Sequence, residues 1–448
     1  MTPFFKVLYR LYRFASGRWY WVQRRFTRVG LAVLGAFFLV ALLAPDTDNN
    51  ATYQVLPLLL FLLVVAVVLN WPFKARFAAT RRLPRFGTAG CPLQYRILVK
   101  NLSAKTWRGV TLLENLADPR PSFDEFVALE LAEQRELRSF RFSARQHSIL
   151  FRPLTVKEAV VPPAAPNEEV EVRVEITPPR RGVLRFTGVT LARTDPLGLV
   201  RAFGTLPRAQ TALILPRRYP VPAFPLPGTA KYQMGGVAFA SSVGQSDEYV
   251  ALRDYRHGDP LRHIHWRSWA RVGRPVVKEF EDEFFVRHAL VLDTFSRHPL
   301  SEVFEEAVSV AASFACSLPT QESLLDLLFV GPQSYCVTAG RGVAHVDQML
   351  EILASVRACM DQPFSALEHL VLNHVQALSG CICVLVAWDE TRRSFIGKLR
   401  SLGVPVWVFV VVPAGQRQHL EPGPLRDEPD RFTVLEVGQV QAGLAKLK

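Results

Sequence analysis

"CICVLVAWDETRRSFIGKLRSLGVPVWVFVVV", Cys381 to Val412, is an apolar run, a polar joint at Asp389, a helical stretch from Thr391 to Leu402 and a second apolar run. Short runs this uniformly apolar suit strands buried on both faces, and a helix between two of them makes a βαβ unit with parallel strands. The alternation continues upstream. "ALVLD" ends at Asp293, a helix begins after Ser301, the strand "LLDLLFV" follows, and further helices cover Val346 to Met360 and Ser365 to Leu378. The pattern predicts a doubly wound α/β domain over residues 288–448. Ligands on such sheets bind at the carboxyl ends of strands, which makes Asp293 and Asp389 candidate site residues.

Before this domain the period changes from helical to two. "EVEVRVEIT", Glu169 to Thr177, alternates Val170, Val172, Val174 and Ile176 with charged residues, as a strand with one dry face does. With "PLQYRILVKN", "GVLRFTGVTLAR" and "TALILP", separated by Pro/Gly turns, it predicts an immunoglobulin-like β-sandwich over residues 86–216. One helix interrupts it, opening at Ser122 with Glu125 three residues on, a capping box. The Pro-rich "LPRRYPVPAFPLPG", Leu215 to Gly228, reads as a stiff connector into a linker segment, residues 217–287.

The net charge of +13 is local. Residues 1–28 and 70–85 hold 12 basic side chains and no acid, and the segment between them holds only Asp46 and Asp48, so residues 86–448 are left with +3. That near-neutral body excludes a nucleic-acid-binding domain, which needs a concentrated positive field. Between the basic stretches lie Val29 to Pro45 and Tyr53 to Phe73, neither with an ionisable side chain. They are expected to form two transmembrane helices within residues 29–73, after a basic cytoplasmic leader, residues 1–28, with both termini cytoplasmic and the hairpin in the lipid bilayer. The six cysteines show no C-x-x-C spacing and read as buried thiols of a reducing compartment.

"RDYRHGDPLRHIHWRSWARVGRP", Arg253 to Pro275, holds three histidines, six arginines, two aspartates and two tryptophans. His263 and His265 would share a face of a strand and, with Asp259, could ligate Zn²⁺ in a metal-dependent hydrolase. Against that, no nucleophile accompanies them, and Asp247 to Glu283 carries seven bases and eight acids. The favoured reading is a network of ion pairs and arginine–aromatic stacks around a Gly258-Asp259 turn, a surface for a protein partner, or both.

The same residues carry a family resemblance. Glu248, Tyr249, Leu252, Arg253, Tyr255, Gly258, Asp259, Arg262, Ile264, His265, Trp266, Ala270, Arg271, Val277, Lys278, Phe280 and Glu281 follow in order a pattern that resembles the signature of the bacterial domain-of-unknown-function 58 family. The resemblance implies a two-pass protein of the bacterial inner membrane, a von Willebrand factor A-like α/β domain, and a MoxR-type AAA+ ATPase as partner, with a transglutaminase-like membrane protein as a second. It implies a non-enzymatic scaffold in assembly or maturation of envelope or other protein complexes, without cofactor. A-type domains hold a divalent cation with Asp-x-Ser-x-Ser; here Asp293-Thr294-Phe295-Ser296-Arg297 lacks two hydroxyls. The resemblance thus favours a metal-free domain with Arg297 where a metal would sit, a reduced Mg²⁺ site on Asp293, Ser296 and Asp389 being the alternative.

Overall fold

Period-2 alternation organises the described residues of the first half of the chain into nine strands: β1 (Phe77–Arg82), β2 (Phe86–Thr88), β3 (Leu93–Asn101), β4 (Val110–Leu116), β5 (Thr155–Val156), β6 (Ala159–Val160), β7 (Glu169–Thr177), β8 (Gly182–Thr194) and β9 (Arg201–Leu215). The computed structural model describes residues 2–43, 50–70, 73, 75–118, 120–124, 126–127, 155–222, 249–259, 261–280, 286–296, 301–317, 323–340, 346–415 and 420–447. Two units divide the chain, Met1–Leu215 and Pro216–Lys448. In the first, one sheet has the order β1-β3-β7-β5 and the other β2-β9-β8-β4-β6. Their inward rows meet in one core, where Ile97, Val99, Val174 and Ile176 pack with Leu112, Phe186, Leu191 and Ile214. The helix expected from Ser122 is described only as far as residue 127.

Charge is buried inside this sandwich. Arg81 and Glu114 have no exposed side-chain area. Arg81 Nε and Nη2 donate to the two carboxylate oxygens at 2.9 and 2.6 Å, its Nη1 donates to Gln210 Oε1 at 2.9 Å, and the Tyr95 hydroxyl donates to Glu114 at 2.8 Å. The guanidinium also lies 4.4 Å from the Phe186 ring centroid. One of the bases counted in the 70–85 stretch is therefore interior and neutralised.

The expected transmembrane hairpin is not supported: no helix among the described residues is long and apolar enough to cross a membrane. Three helices occupy the region, α1 (Thr2–Arg25), α2 (Arg28–Leu43) and α3 (Asn50–Asn70). At about 1.5 Å per residue, the 16 residues of α2 reach ~24 Å, short of a ~30 Å hydrocarbon core. In α3 the polar Asn50 to Gln54 and the internal Pro57 shorten the apolar run that ends at Leu69. Both helices dock on the loop between β8 and β9. The Thr27 N–H donates to Leu199 O at 3.0 Å, Asn70 Nδ2 donates to Val200 O at 2.8 Å, and Ala66 packs with Leu199 and Val200. Gly30 is required there, since a Cβ would come within 2.0 Å of Leu199 O. Within the basic stretch of residues 1–28, α1 and the residues after it contact the rest of the first unit. The Tyr9 hydroxyl donates to Pro121 O at 2.9 Å, and the Arg24 and Arg25 guanidiniums lie 5.6 and 4.9 Å from the Phe203 ring centroid. The two-pass inner-membrane placement loses its support with the spans.

The described residues of the second unit hold two sheets. A strand pair, β10 (Tyr249–Asp254) and β11 (Val276–Phe280), brackets the short helix α4 (Trp266–Val272). After it come β12 (Val286–Leu292), α5 (Glu302–Ser317), β13 (Ser323–Val330), β14 (Ser334–Ala339), α6 (Val346–Ser355), α7 (Ser365–His374), β15 (Gly380–Leu385), α8 (Glu390–Ser401), β16 (Val406–Val412), β17 (Phe432–Glu436) and α9 (Val440–Leu444). The six strands from β12 on form one sheet, ordered β14-β13-β12-β15-β16-β17, parallel except for β14. Strands β15 and β16 are buried at every position. The Pro-rich passage is not a free connector at its start, because the Tyr219 N–H donates to Ser313 Oγ at 2.8 Å and its hydroxyl to Glu306 at 2.7 Å, both on α5. Three cysteines, Cys359, Cys381 and Cys383, are buried, whereas Cys91, Cys316 and Cys336 are exposed.

Candidate functional site

Between β10 and β11 the chain leaves the ladder for 21 residues and returns to it. The Tyr255 N–H donates to Pro275 O at 3.0 Å, and the His265 N–H donates to Val276 O at 2.8 Å, which closes the excursion on itself. Ile264, Val276 and Val277 supply its dry floor. The turn is held by a fork: Arg253 Nη1 and Nη2 donate to the two oxygens of Asp259 at 2.7 and 2.8 Å, and the Arg256 N–H adds a third bond at 2.8 Å. Those bonds, the Arg253 fork first, hold the Asp259 carboxyl down to about 2. Gly258 sits at φ +107°, a conformation that only glycine adopts without strain.

α4 then raises two tryptophans. Trp266 and Trp269, three apart, share a helix face and stack at 5.1 Å between centroids with 18° between planes. Gly273, at φ 72°, ends the helix, its N–H bonding Trp269 O at 2.9 Å. Trp266 is 65% exposed, a large apolar side chain left in water, and Leu252, Leu261 and Val272 are exposed with it. Arg262, Arg267 and Arg271 are exposed on the same excursion, Tyr255 and Lys278 are half-buried, and Arg274 pairs with Asp254 at 3.0 Å. The stacking partner of Trp266 is thus Trp269, not the arginine expected from the sequence. Glu248 and Glu281 lie outside the described residues.

The geometry does not assemble the His263, His265 and Asp259 metal triad. The two histidines are not on a strand: His263 ends a single 3₁₀ turn, Leu261–His263, and His265 precedes α4. His265 Nδ1 shares a hydrogen bond of 2.7 Å with Ser268 Oγ, His263 Nε2 accepts from Arg262 at 3.3 Å, and Asp259 is taken by Arg253. Among the described residues no group of three or more His, Cys, Asp or Glu side chains could hold a metal.

The second candidate place is the crevice between β12 and β15, where the strand order reverses and a doubly wound sheet opens a binding site. Here the crevice is filled from within. Arg392, on the first turn of α8, donates from Nε to Asp293 at 2.6 Å, from Nη1 to Asp389 at 2.6 Å and from Nη2 to Phe295 O at 3.2 Å. Its guanidinium lies 4.8 Å from the Phe364 ring centroid. Asp293 is wholly buried and also accepts from the Phe295 and Val386 N–H groups at 3.0 and 3.2 Å. Burial pushes its carboxyl up from the ordinary range, and Arg392 and the two N–H groups oppose that. Arg392 and the Phe295 and Val386 N–H groups are all donors, so the acceptor-only carboxylate is the form the site suits. The cation beside Asp293 therefore comes from Arg392; Arg297 lies outside the described residues, and the oxygens of Asp293 and Asp389 that a divalent ion would need face a guanidinium.

A family model described as protein of unknown function DUF58 matches residues 251–383, which contain the whole excursion, β12 and the Asp293 that follows it. The chain is 28% identical over 187 residues to the uncharacterized protein YeaD of Bacillus subtilis (strain 168), a match that covers 41% of this chain and 45% of that protein. Among solved structures, the CARDB domain of PF1109 from Pyrococcus furiosus is similar at 12% identity over 32% of this chain and 95% of its own, with a TM-score of 0.17. The ASH/PapD-like domain of human CEP192 is similar at 10% identity over 32% and 91%, also at 0.17.

Proposed function

We propose that this chain, a member of the DUF58 family, is a non-enzymatic interaction protein that docks a partner protein through the excursion between β10 and β11, and that the partner is a MoxR-type AAA+ ATPase in the assembly or maturation of protein complexes. One observation carries the reading: a stacked tryptophan pair, its outer member two-thirds exposed, stands on a turn whose own carboxylate is already paired. Tryptophan and arginine dominate the energetics of protein interfaces, and a rigid aromatic anchor loses little conformational freedom on docking. The arginines around it, Arg262, Arg267 and Arg271, favour an acidic rim on the partner. The class of partner follows from the family resemblance.

The test is a binding titration of the full chain against such an ATPase, with Trp266→Ala and Arg271→Glu as variants. A tenfold or greater loss of affinity in both, with unchanged melting temperatures, supports the proposal. Undiminished binding by both variants sinks it.

A further inference from the structure

The outward face of the sheet β1-β3-β7-β5 carries an arrangement that cross-strand pairing ordinarily avoids. Register sets Arg82 opposite Arg96, and Arg96 opposite Arg173, so three arginines stand in one row across three adjacent strands. Strands lie about 4.8 Å apart, and like charges directly opposite one another destabilise a sheet. All three side chains are exposed, and they line a groove of about 820 Å³ together with Leu83, Pro84, Gln94 and one acid, Glu175. The acids nearby do not cancel them. Glu175 is engaged by Lys157 and by Gln94 at 3.1 Å, and Glu171 reaches only Arg96, at 3.3 Å. Among the described residues neither the Arg82 nor the Arg173 side chain has an ion-pair or hydrogen-bond partner. The next row on the same face, Thr80, Leu98 and Glu171, holds no base, and the one beyond it, Ala78, Lys100 and Glu169, is charge-balanced, so the clustered bases are confined to one line.

We infer that this row is a binding site for a diphosphate group. Each guanidinium presents five donors in a fork that fits phosphoryl oxygens two at a time. Three such forks within about 10 Å call for an anion dense in acceptor oxygens, and two linked phosphoryl groups supply more of them per unit volume than the carboxylates of an acidic peptide. The flanking Leu83 and Pro84 give the groove an apolar wall against which the rest of a ligand can rest. The group could arrive free or carried on a nucleotide, and the recognition chemistry is the same for both.

The experiment is calorimetric titration of the full chain, at low ionic strength, with sodium pyrophosphate and with ADP. Saturable one-to-one binding is expected. Heat with pyrophosphate alone identifies the free anion as the ligand, and heat with ADP as well identifies the nucleotide-borne group. Arg82→Gln and Arg173→Gln should each weaken binding about tenfold and together about a hundredfold. Lys100→Gln, two rows away on the same face, should leave it unchanged. Because the row repels itself, the two arginine variants should melt no lower than the parent in ligand-free buffer. The inference is overturned by no heat at millimolar pyrophosphate, by an equal loss in Lys100→Gln, or by binding seen only with a poly-glutamate peptide or a single-stranded oligonucleotide.

Discussion

The arginine–aspartate contacts at two places in the second unit, the crevice and the excursion, have opposite fates. At the sheet crevice, Arg392 lies between Asp293 and Asp389 with its side chain 7% exposed, and the fork fills the space where a ligand would otherwise enter. At the excursion, Arg253 and Asp259 stay near the surface, at 33% and 16%, and their fork props up a turn that leaves Trp266 in water. The same pair chemistry closes one site and presents another. A doubly wound sheet is therefore a poor guide to where this chain acts, since the position at which such a sheet binds is satisfied by its own side chain.

The largest effect should come from breaking the closed site. Arg392→Ala leaves the buried Asp293 without its cation, and equilibrium denaturation should show a loss of about 3–5 kcal/mol. Mg²⁺ or EDTA should not move the melting temperature of the parent chain, in which the guanidinium already faces both aspartates.

Acid should separate the two places more gently. Burial holds His288, on β12, below its ordinary value of 6.5, and its Nδ1 has no hydrogen-bond partner among the described residues. The unfolded chain then takes up that proton first, so stability should be full above about pH 6.5 and fall as pH drops below it. Asp259 behaves alike in a lower window: with a folded value of about 2 against 3.8, its contribution is full above 3.8 and lost as pH falls towards 2. Melting curves across pH should show His288→Leu flattening the upper window and Asp259→Asn only the lower one. Loss of both windows in either variant would collapse the distinction. The smallest effect on stability is expected of Trp266→Ala, within about 0.5 kcal/mol, because the side chain is exposed.

Much of this was legible from periodicity. The alternation in Glu169 to Thr177 is β7 residue for residue, because one face is dry and the other wet. The apolar runs around Cys381 and Val408 are β15 and β16, because both faces are buried. Asp293 and Asp389 stand after strands, as their spacing indicated. What filled the crevice was not legible, since Arg392 meets a partner 99 residues away. A local signal did exist: arginine in the first turn of a helix opposes the macrodipole, which marks a side chain held there by something else. The N-terminal helices misled for a related reason. Hydropathy records composition and not docking, and nothing in Val29 to Phe73 announces that Gly30, Ala66 and Asn70 meet the loop at Leu199 and Val200. Likewise, a charge count treats Arg81 as a surface base when Glu114 and Gln210 have taken it inside.

That last arginine sets a timetable. During synthesis β1 emerges early, whereas Gln210, which completes the Arg81 donor set, emerges 129 residues later. Until then the first sheet can pair but cannot bury its charge against a finished partner layer, so the sandwich closes as one late, long-range event rather than strand by strand. A nascent chain stopped before β9 already holds Glu114 to pair Arg81, but it lacks Gln210 and the longest strand of the second sheet, a half-built shell open to capture by other proteins while the ribosome is still at work.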